Sequence, residues 1–458
     1  MESLGGPARD CNQTVLGFSP MFSFGVMNGQ ARFMNFTSAA VAKAVAAMLG
    51  VECSDVYIAP VNNAEELFAL LRNTEAQFMM KTPASGVDGL GWFGYFGYDT
   101  IFMIEEIERC LCRDKEVPVI SLAVYRGIVQ HDLQTGQCTL TANFVEGEEA
   151  FSLDELKALL ETEVSHGELP VNPEYQAFPS VGREEYFRWF EKVKHHIDIG
   201  DIYQIQLGHE IRIRSKLEPF EVYMRMRKKN PSPYMYFFTT ADDVTLIGAS
   251  PEMFTNLDSQ RNVVMRPIAG TVRNPTDEKK RKEASDRLKS DVKETAEHLM
   301  LVDLCRNDIA RCCQPMSLAV DELMATEAYS HVIHLVSNVT GRLSGGLDKF
   351  DAVAATFLAG TMTGTPKLKA VEIIEKIERS PRGIYAGALG YFGFNDVMIS
   401  ALCIRTAIWK DGEYSIRASG GVVEESTALG EWNETISKLS STYLAITDKE
   451  LCDESFAY

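Results

Sequence analysis

Residues 397–409 read VMISALCIRTAIW, a β-branched and apolar run interrupted by one cation, Arg405, with Asn395-Asp396 before it and Lys410-Asp411-Gly412 after it. A run of this kind between turn formers reads as a strand. Its neighbours, GIYAGALGYFGF (383–394) and EYSIRASGGVV (413–423), read the same way, so three antiparallel strands joined by short turns are expected here. A helical pattern over residues 431–448 follows directly.

Further out, strands and helices come in blocks. Up to about Phe151, short apolar runs alternate with turn residues, as in GLGWFGYFGYDT and VPVISLAVYRGIVQHDLQTGQCTL, where Gln134–Gly136 has hairpin character; Ala39–Leu49 has helical spacing. Residues 161–183, with Pro170, Pro173 and Pro179, break the pattern and read as a connecting segment. The expected layout is therefore an N-terminal region over 1–160, the connector 161–183, and a catalytic region over 184–458. In that last region residues 184–200 and 217–229 are helical in pattern, and DIYQIQLGHEIRIR (201–214) alternates like a strand. Blocks without regular βαβ alternation indicate the α+β class.

With 458 residues, 45% of them hydrophobic, the chain can bury a large core. Its net charge of −19 disfavours nucleic acid and anionic membrane surfaces as partners, since both reward basic patches. Residues 1–20 lack the basic start and apolar run of a signal peptide, and no apolar stretch reaches membrane-spanning length, so the expected location is the cytoplasm. Ten cysteines match no zinc or iron–sulfur spacing, and we expect reduced thiols, mostly in the core.

Four glutamates carry the chemistry. Glu294 and Glu297 in KETAEHLMLVDLCRND (293–308), and Glu431 and Glu434 in GEWNETISK (430–438), stand three apart within each pair. On a helix, residues three apart share a face, so each pair aims two carboxylates one way. A solvated helix face would tolerate that; so would a divalent cation held by carboxylates, water and an anionic substrate group, as Mg2+ often is.

From Gly200 to Lys438 a set of motifs appears in order: GDIYQIQL, NPSPYMYFF, GASPEMF, RPIAGT, EHLMLVDLCRND, SHVIHLVSNV, GTMTGTPK, LCIRTA, ASGGVVEES and EWNETISK. Together they resemble the chorismate-utilising enzymes, most of all the large synthase subunit (component I) of anthranilate synthase. The resemblance implies a two-layer antiparallel β-sandwich core flanked by helices. It implies that Glu297 and Glu434 hold Mg2+ for the ring carboxylate of chorismate, with Glu294 and Glu431 close behind. Arg405, helped by Tyr385, would grip the pyruvyl carboxylate, an arrangement suited to a guanidinium's planar fork. Gly420, Gly421 and Lys438 would line the pocket, together with Ala269, Gly270, Thr271 and Thr361. Glu252 would be the general acid that protonates the C4 hydroxyl as it leaves, and His334 would act around the elimination step.

Two positions bear on the reaction. Gln204 stands where resembling enzymes that add water carry a lysine base, and a neutral amide cannot activate water. Ala269 stands where many 4-amino-4-deoxychorismate synthases carry a nucleophilic lysine. The resemblance therefore implies attack by ammonia at C2, then pyruvate elimination to anthranilate. The alternatives are release of 2-amino-2-deoxyisochorismate before elimination, or a 4-amino-4-deoxychorismate synthase component I lacking the lysine. No cysteine nucleophile elbow is found, so a separate glutamine amidotransferase subunit is the expected ammonia source. NPSPYM (230–235) matches half of a tryptophan feedback site whose other half is not evident in SFGVMNGQARFMNF (23–36).

Overall fold

The computed structural model describes residues 1–4, 13–78, 89–113, 117–148, 154, 157–158, 161–162, 171, 173–328 and 332–452. Among these the strands form a 13-stranded and a 7-stranded sheet, with antiparallel pairing throughout. The fold is α+β, a two-layer antiparallel β-sandwich core flanked by helices. The larger sheet takes strands from both sides of the connector: Gly91–Phe96 pairs with Ala388–Gly393, and Asn262–Met265 with Val332–Arg342. The smaller sheet is centred on Gln204–Ser215 and Glu413–Val422. Each sheet has its own apolar cluster, and a third joins them, with Tyr95 and Leu389 from the larger sheet packed with Tyr236 and Leu246 from the smaller.

The run 397–409 is two strands, not one. Met398–Leu402 belongs to the larger sheet and Thr406–Lys410 to the smaller, and the chain crosses between them at residues 403–405, where Arg405 adopts φ 50°. A non-glycine residue in the left-handed region marks a backbone constrained by its surroundings. Periodicity conceals the break because residues on both sides of it are buried and apolar. A second crossing runs alongside, from Thr245–Ser250 in the smaller sheet to Asn256–Leu257 in the larger. Backbone hydrogen bonds clamp the two crossings together, Ala249 N to Arg405 O at 3.2 Å and Leu402 N to Glu252 O at 3.0 Å.

Other boundaries moved less. Ala39–Leu49 is a helix capped by the Ser38 hydroxyl and closed by Gly50 at φ 68°. Within the expected connector, Tyr175–Pro179 is a strand paired to Tyr175↔Ser215 register, so the sheet begins before residue 183; residues 163–170, with Pro170, lie outside the described residues. The expectation of mainly buried cysteines is corrected: Cys53, Cys110, Cys112, Cys138 and Cys452 are exposed, while Cys305, Cys312, Cys313 and Cys403 are buried, all as free thiols. No helix among the described residues is long and apolar enough to cross a membrane.

Candidate active site

The two acidic pairs ride on helices attached to different sheets. Val292–Ala310 starts at Asp291, whose carboxylate caps Lys293 N and Glu294 N, and it packs on the larger sheet. Ala428–Thr447 starts at Thr427, which caps Gly430 N, and it packs on the smaller sheet. Glu294 and Glu431 thus lie in the first turns of their helices, where the helix dipole favours negative charge, and Glu297 and Glu434 follow one turn further in.

The structure brings the four acids into one another's field. Burial first, then the charges of Glu294 and Glu434, hold the Glu297 carboxyl above its usual range. Burial, Asp291 and Glu434 do the same to Glu294. Burial and Glu434 push Glu431 up to about 7, against a 2.7 Å hydrogen bond from Ser426. Glu434 is thus the common neighbour of the other three, and its own oxygen lies 2.7 Å from Lys438 Nζ.

Among the described residues no three His, Cys, Asp or Glu side chains form a ready metal cage. An open site for a hard cation does fit. Glu431 Oε2 is buried without a hydrogen-bond partner, and it lies close over Gly420, where a Cβ would stand 2.7 Å from it and push the carboxylate aside. The donors are all carboxylate oxygens, the ligands that Mg2+ prefers, and Mg2+ ordinarily needs only one or two of them.

Gln204, read from the sequence as a marker of the nucleophile, has a structural task as well: its Nε2 donates to Glu297 Oε1 at 2.8 Å. Gly421 lies beside it, where a Cβ would meet the side-chain nitrogens of Gln204 and Gln206 at 3.1 Å.

Arg405, expected within a strand, instead sits at the crossing. Among the described residues it has no ion pair and no side-chain hydrogen bond, and burial depresses its pKa, with the neighbouring Tyr385 acting the other way. An unpaired, largely buried guanidinium is costly unless it meets an anion. His334 stands close enough to Arg405 for that charge to add to burial in lowering the imidazole pKa, which favours the neutral ring. Its Nδ1 lies 3.0 Å from both Gly270 O and Thr271 Oγ1. Gly270, at φ 64°, forms a bulge between Ala269 and Thr271 and approaches Glu294 closely.

Glu252 occupies the second crossing. Burial pushes its carboxyl up to about 7, while the Thr361 hydroxyl and the Lys438 charge pull it down. A carboxyl near 7 is matched to proton donation around neutral pH.

Sequence reasoning missed the supports under this site. Arg382 donates to Met362 O, to Gln206 O and to Glu378, each at 2.7 Å, and Arg417 completes a buried trio by donating to Glu378 at 2.7 Å. Lys367, in the quoted GTMTGTPK, pairs at 2.7 Å with Asp308, in the quoted LCRND. The motifs held these residues, but no local pattern says that they pair.

Buried carboxyls, an unpaired arginine and a lysine among the acids, gathered from both sheets, suit the binding of a small anionic molecule. The chain belongs to the family described as chorismate binding enzyme, which matches residues 36–443. It is 40% identical over 460 residues to a 2-amino-4-deoxychorismate synthase of Streptomyces globisporus, covering 98% of this chain and 91% of that protein. It is 37% identical over 376 residues to anthranilate synthase component 1 of Aquifex aeolicus, covering 80% and 75%. The crystal structure of anthranilate synthase component I from Streptococcus pneumoniae TIGR4 matches with a TM-score of 0.79 at 29% identity, covering 96% of this chain and 93% of that one.

Proposed function

We propose that this enzyme aminates chorismate at C2 with ammonia, expelling the C4 hydroxyl, and then eliminates pyruvate to give anthranilate. The observation that carries the reading is an unpartnered Arg405 in the same chain region as three carboxylates, Glu294, Glu297 and Glu431, that burial and the nearby Glu434 hold above their usual range, which suits a substrate with two carboxylates. Arg405 receives the pyruvyl carboxylate. Glu297 and Glu434 would hold Mg2+, which when bound neutralises the ring carboxylate. Glu252, protonated in its buried position, delivers a proton to the departing C4 oxygen. Gln204, already donating to Glu297, has no basic nitrogen with which to activate water, and this favours ammonia. His334, kept neutral by burial and by Arg405, accepts the C2 proton as the C3–O bond breaks, and the departing enolate takes up a proton at its methylene carbon to become pyruvate. A separate glutamine amidotransferase subunit is the proposed source of ammonia, in keeping with the component 1 relatives.

A second reading stops after amination. The name of the Streptomyces globisporus relative describes chorismate with an amino group at C2 and no C4 oxygen, which is the product of the first step alone, and that relative aligns with 98% of this chain. The deciding experiment is incubation of the purified chain with chorismate, Mg2+ and ammonium, with products identified by mass and fluorescence. Fluorescent anthranilate with pyruvate supports the full reaction, a non-aromatic amino acid retaining the enolpyruvyl group supports the early stop, and a product aminated at C4 overturns both.

A further inference from the structure

Three buried side chains hydrogen-bond in series between the neighbourhood of Arg405 and that of Gln204. Tyr385, Ser419 and Gln206 are 6%, 1% and 8% exposed. The Tyr385 and Ser419 hydroxyl oxygens are 2.8 Å apart, and Ser419 Oγ donates to Gln206 Oε1 at 3.1 Å. Gln206 also borders Gly421 alongside Gln204, the partner of Glu297.

Proton counting makes this chain directional. A serine hydroxyl has one proton to give. Ser419 spends it on Gln206, so the hydrogen bond between Tyr385 and Ser419 must use the tyrosine proton. In this state Tyr385 has nothing to donate to a carboxylate arriving at Arg405. When a carboxylate takes the tyrosine proton, Ser419 must turn and donate to Tyr385, and Gln206 Oε1 then loses its donor.

We propose that Ser419 is a positioning residue acting through Tyr385, a one-proton relay whose reversal accompanies capture of the substrate carboxylate. The proposal rests on the reading that Arg405 and Tyr385 hold a carboxylate of chorismate. Gln206 competes with Tyr385 for the serine proton, so the two partners of Ser419 have opposite effects on binding.

The test is steady-state kinetics of the full chain with chorismate, Mg2+ and ammonium, with chorismate binding measured by calorimetry and folding by thermal melting. Ser419→Ala removes the donor that holds the Tyr385 hydroxyl oxygen while the tyrosine proton goes to the carboxylate, and is expected to raise KM about threefold to tenfold, the size of one neutral hydrogen bond, with kcat within about threefold. Gln206→Met, similar in size but lacking the acceptor, leaves the serine proton to Tyr385 and is expected to lower KM about threefold. In a Tyr385→Phe background Ser419→Ala should add less than about twofold, because its route is gone. Should Ser419→Ala melt early, Ser419→Cys, of like size and a weaker donor, replaces it with an intermediate rise expected. Ser419→Ala within twofold of wild type, both single variants moving KM the same way, or full additivity with Tyr385→Phe overturns the relay alone. Failure of the wild-type chain to bind chorismate overturns the functional reading and the relay with it.

Discussion

Gln204 Nε2 donates to Glu297 Oε1 at 2.8 Å, so a strand of the smaller sheet fixes the orientation of an acid carried by a helix on the larger sheet. Groups that orient a metal-holding side chain typically matter 10–100-fold in metal affinity. Gln204→Leu is therefore expected to raise the Mg2+ concentration for half-maximal activity at least about tenfold, with little change once Mg2+ saturates. An unchanged Mg2+ titration would remove Gln204 from this role.

Arg405 trades stability for binding. Arg405→Met should raise KM for chorismate by about 10–100-fold, the value of a charge-assisted carboxylate contact. It should also raise the melting temperature of the ligand-free chain, because an unpartnered buried charge is gone. A variant that binds chorismate normally, or melts several degrees lower, contradicts this account.

Glu252 predicts the shape of the pH profile. With its carboxyl near 7 the protonated form dominates below that value, so kcat should fall as pH rises through about 7. Glu252→Gln should lose about 10²–10⁴-fold in kcat and this limb of the profile together, leaving KM within a few-fold. Retention of the limb in the variant would assign the titration to another group.

The acidic cluster links pH, cation and stability. Glu431 has its carboxyl raised from 4.5 to about 7, and Glu294 and Glu297 are raised as well. Groups whose folded pKa is raised contribute stability that is intact below the unfolded value and lost as pH climbs through the folded one. Mg2+ should accordingly raise the melting temperature more at pH 8 than at pH 5, reaching about 2.7 kcal/mol at a concentration 100 times Kd. Differential scanning calorimetry with Glu297→Gln and Glu434→Gln as controls checks it; equal shifts at both pH values, or shifts surviving in the controls, would count against a cation here.

Beneath the site, the Glu378–Arg382 pair is almost fully buried, with side chains 0% and 1% exposed. Arg382→Met leaves Glu378 with Arg417 and Gly208 N as partners but strips the buried Met362 and Gln206 carbonyls of a donor, so it should cost roughly 2–4 kcal/mol in urea unfolding. A loss below about 1 kcal/mol would mean that these carbonyls are relieved in some other way.

The elements that were legible before the structure are those with local signals. Ala39–Leu49 announces itself by a serine cap and a glycine stop, and the turns at Asp396 and Asp411-Gly412 by residues that tolerate positive φ. The acids were legible as two pairs because spacing of three is a local property; their shared neighbourhood is not local. The break at Arg405 escaped detection because buried apolar residues continue on both sides of it, and alternation cannot distinguish one long strand from two that end in different sheets. The strand Tyr175–Pro179 was hidden by its own proline, Pro179, which suits a sheet edge, and by Pro173 just before it. Contacts such as Gln204 with Glu297, or Ser419 with Tyr385, join residues far apart in the chain and leave no trace in either segment.

The raised carboxyl of Glu252 and the cation Arg405 stand on the two threads by which the polypeptide passes from one layer to the other, and those threads are stitched side by side. A shear of the layers would drag both groups out of place at once. The spacing between the two groups is therefore set by the register of one layer against the other, and not by either layer alone.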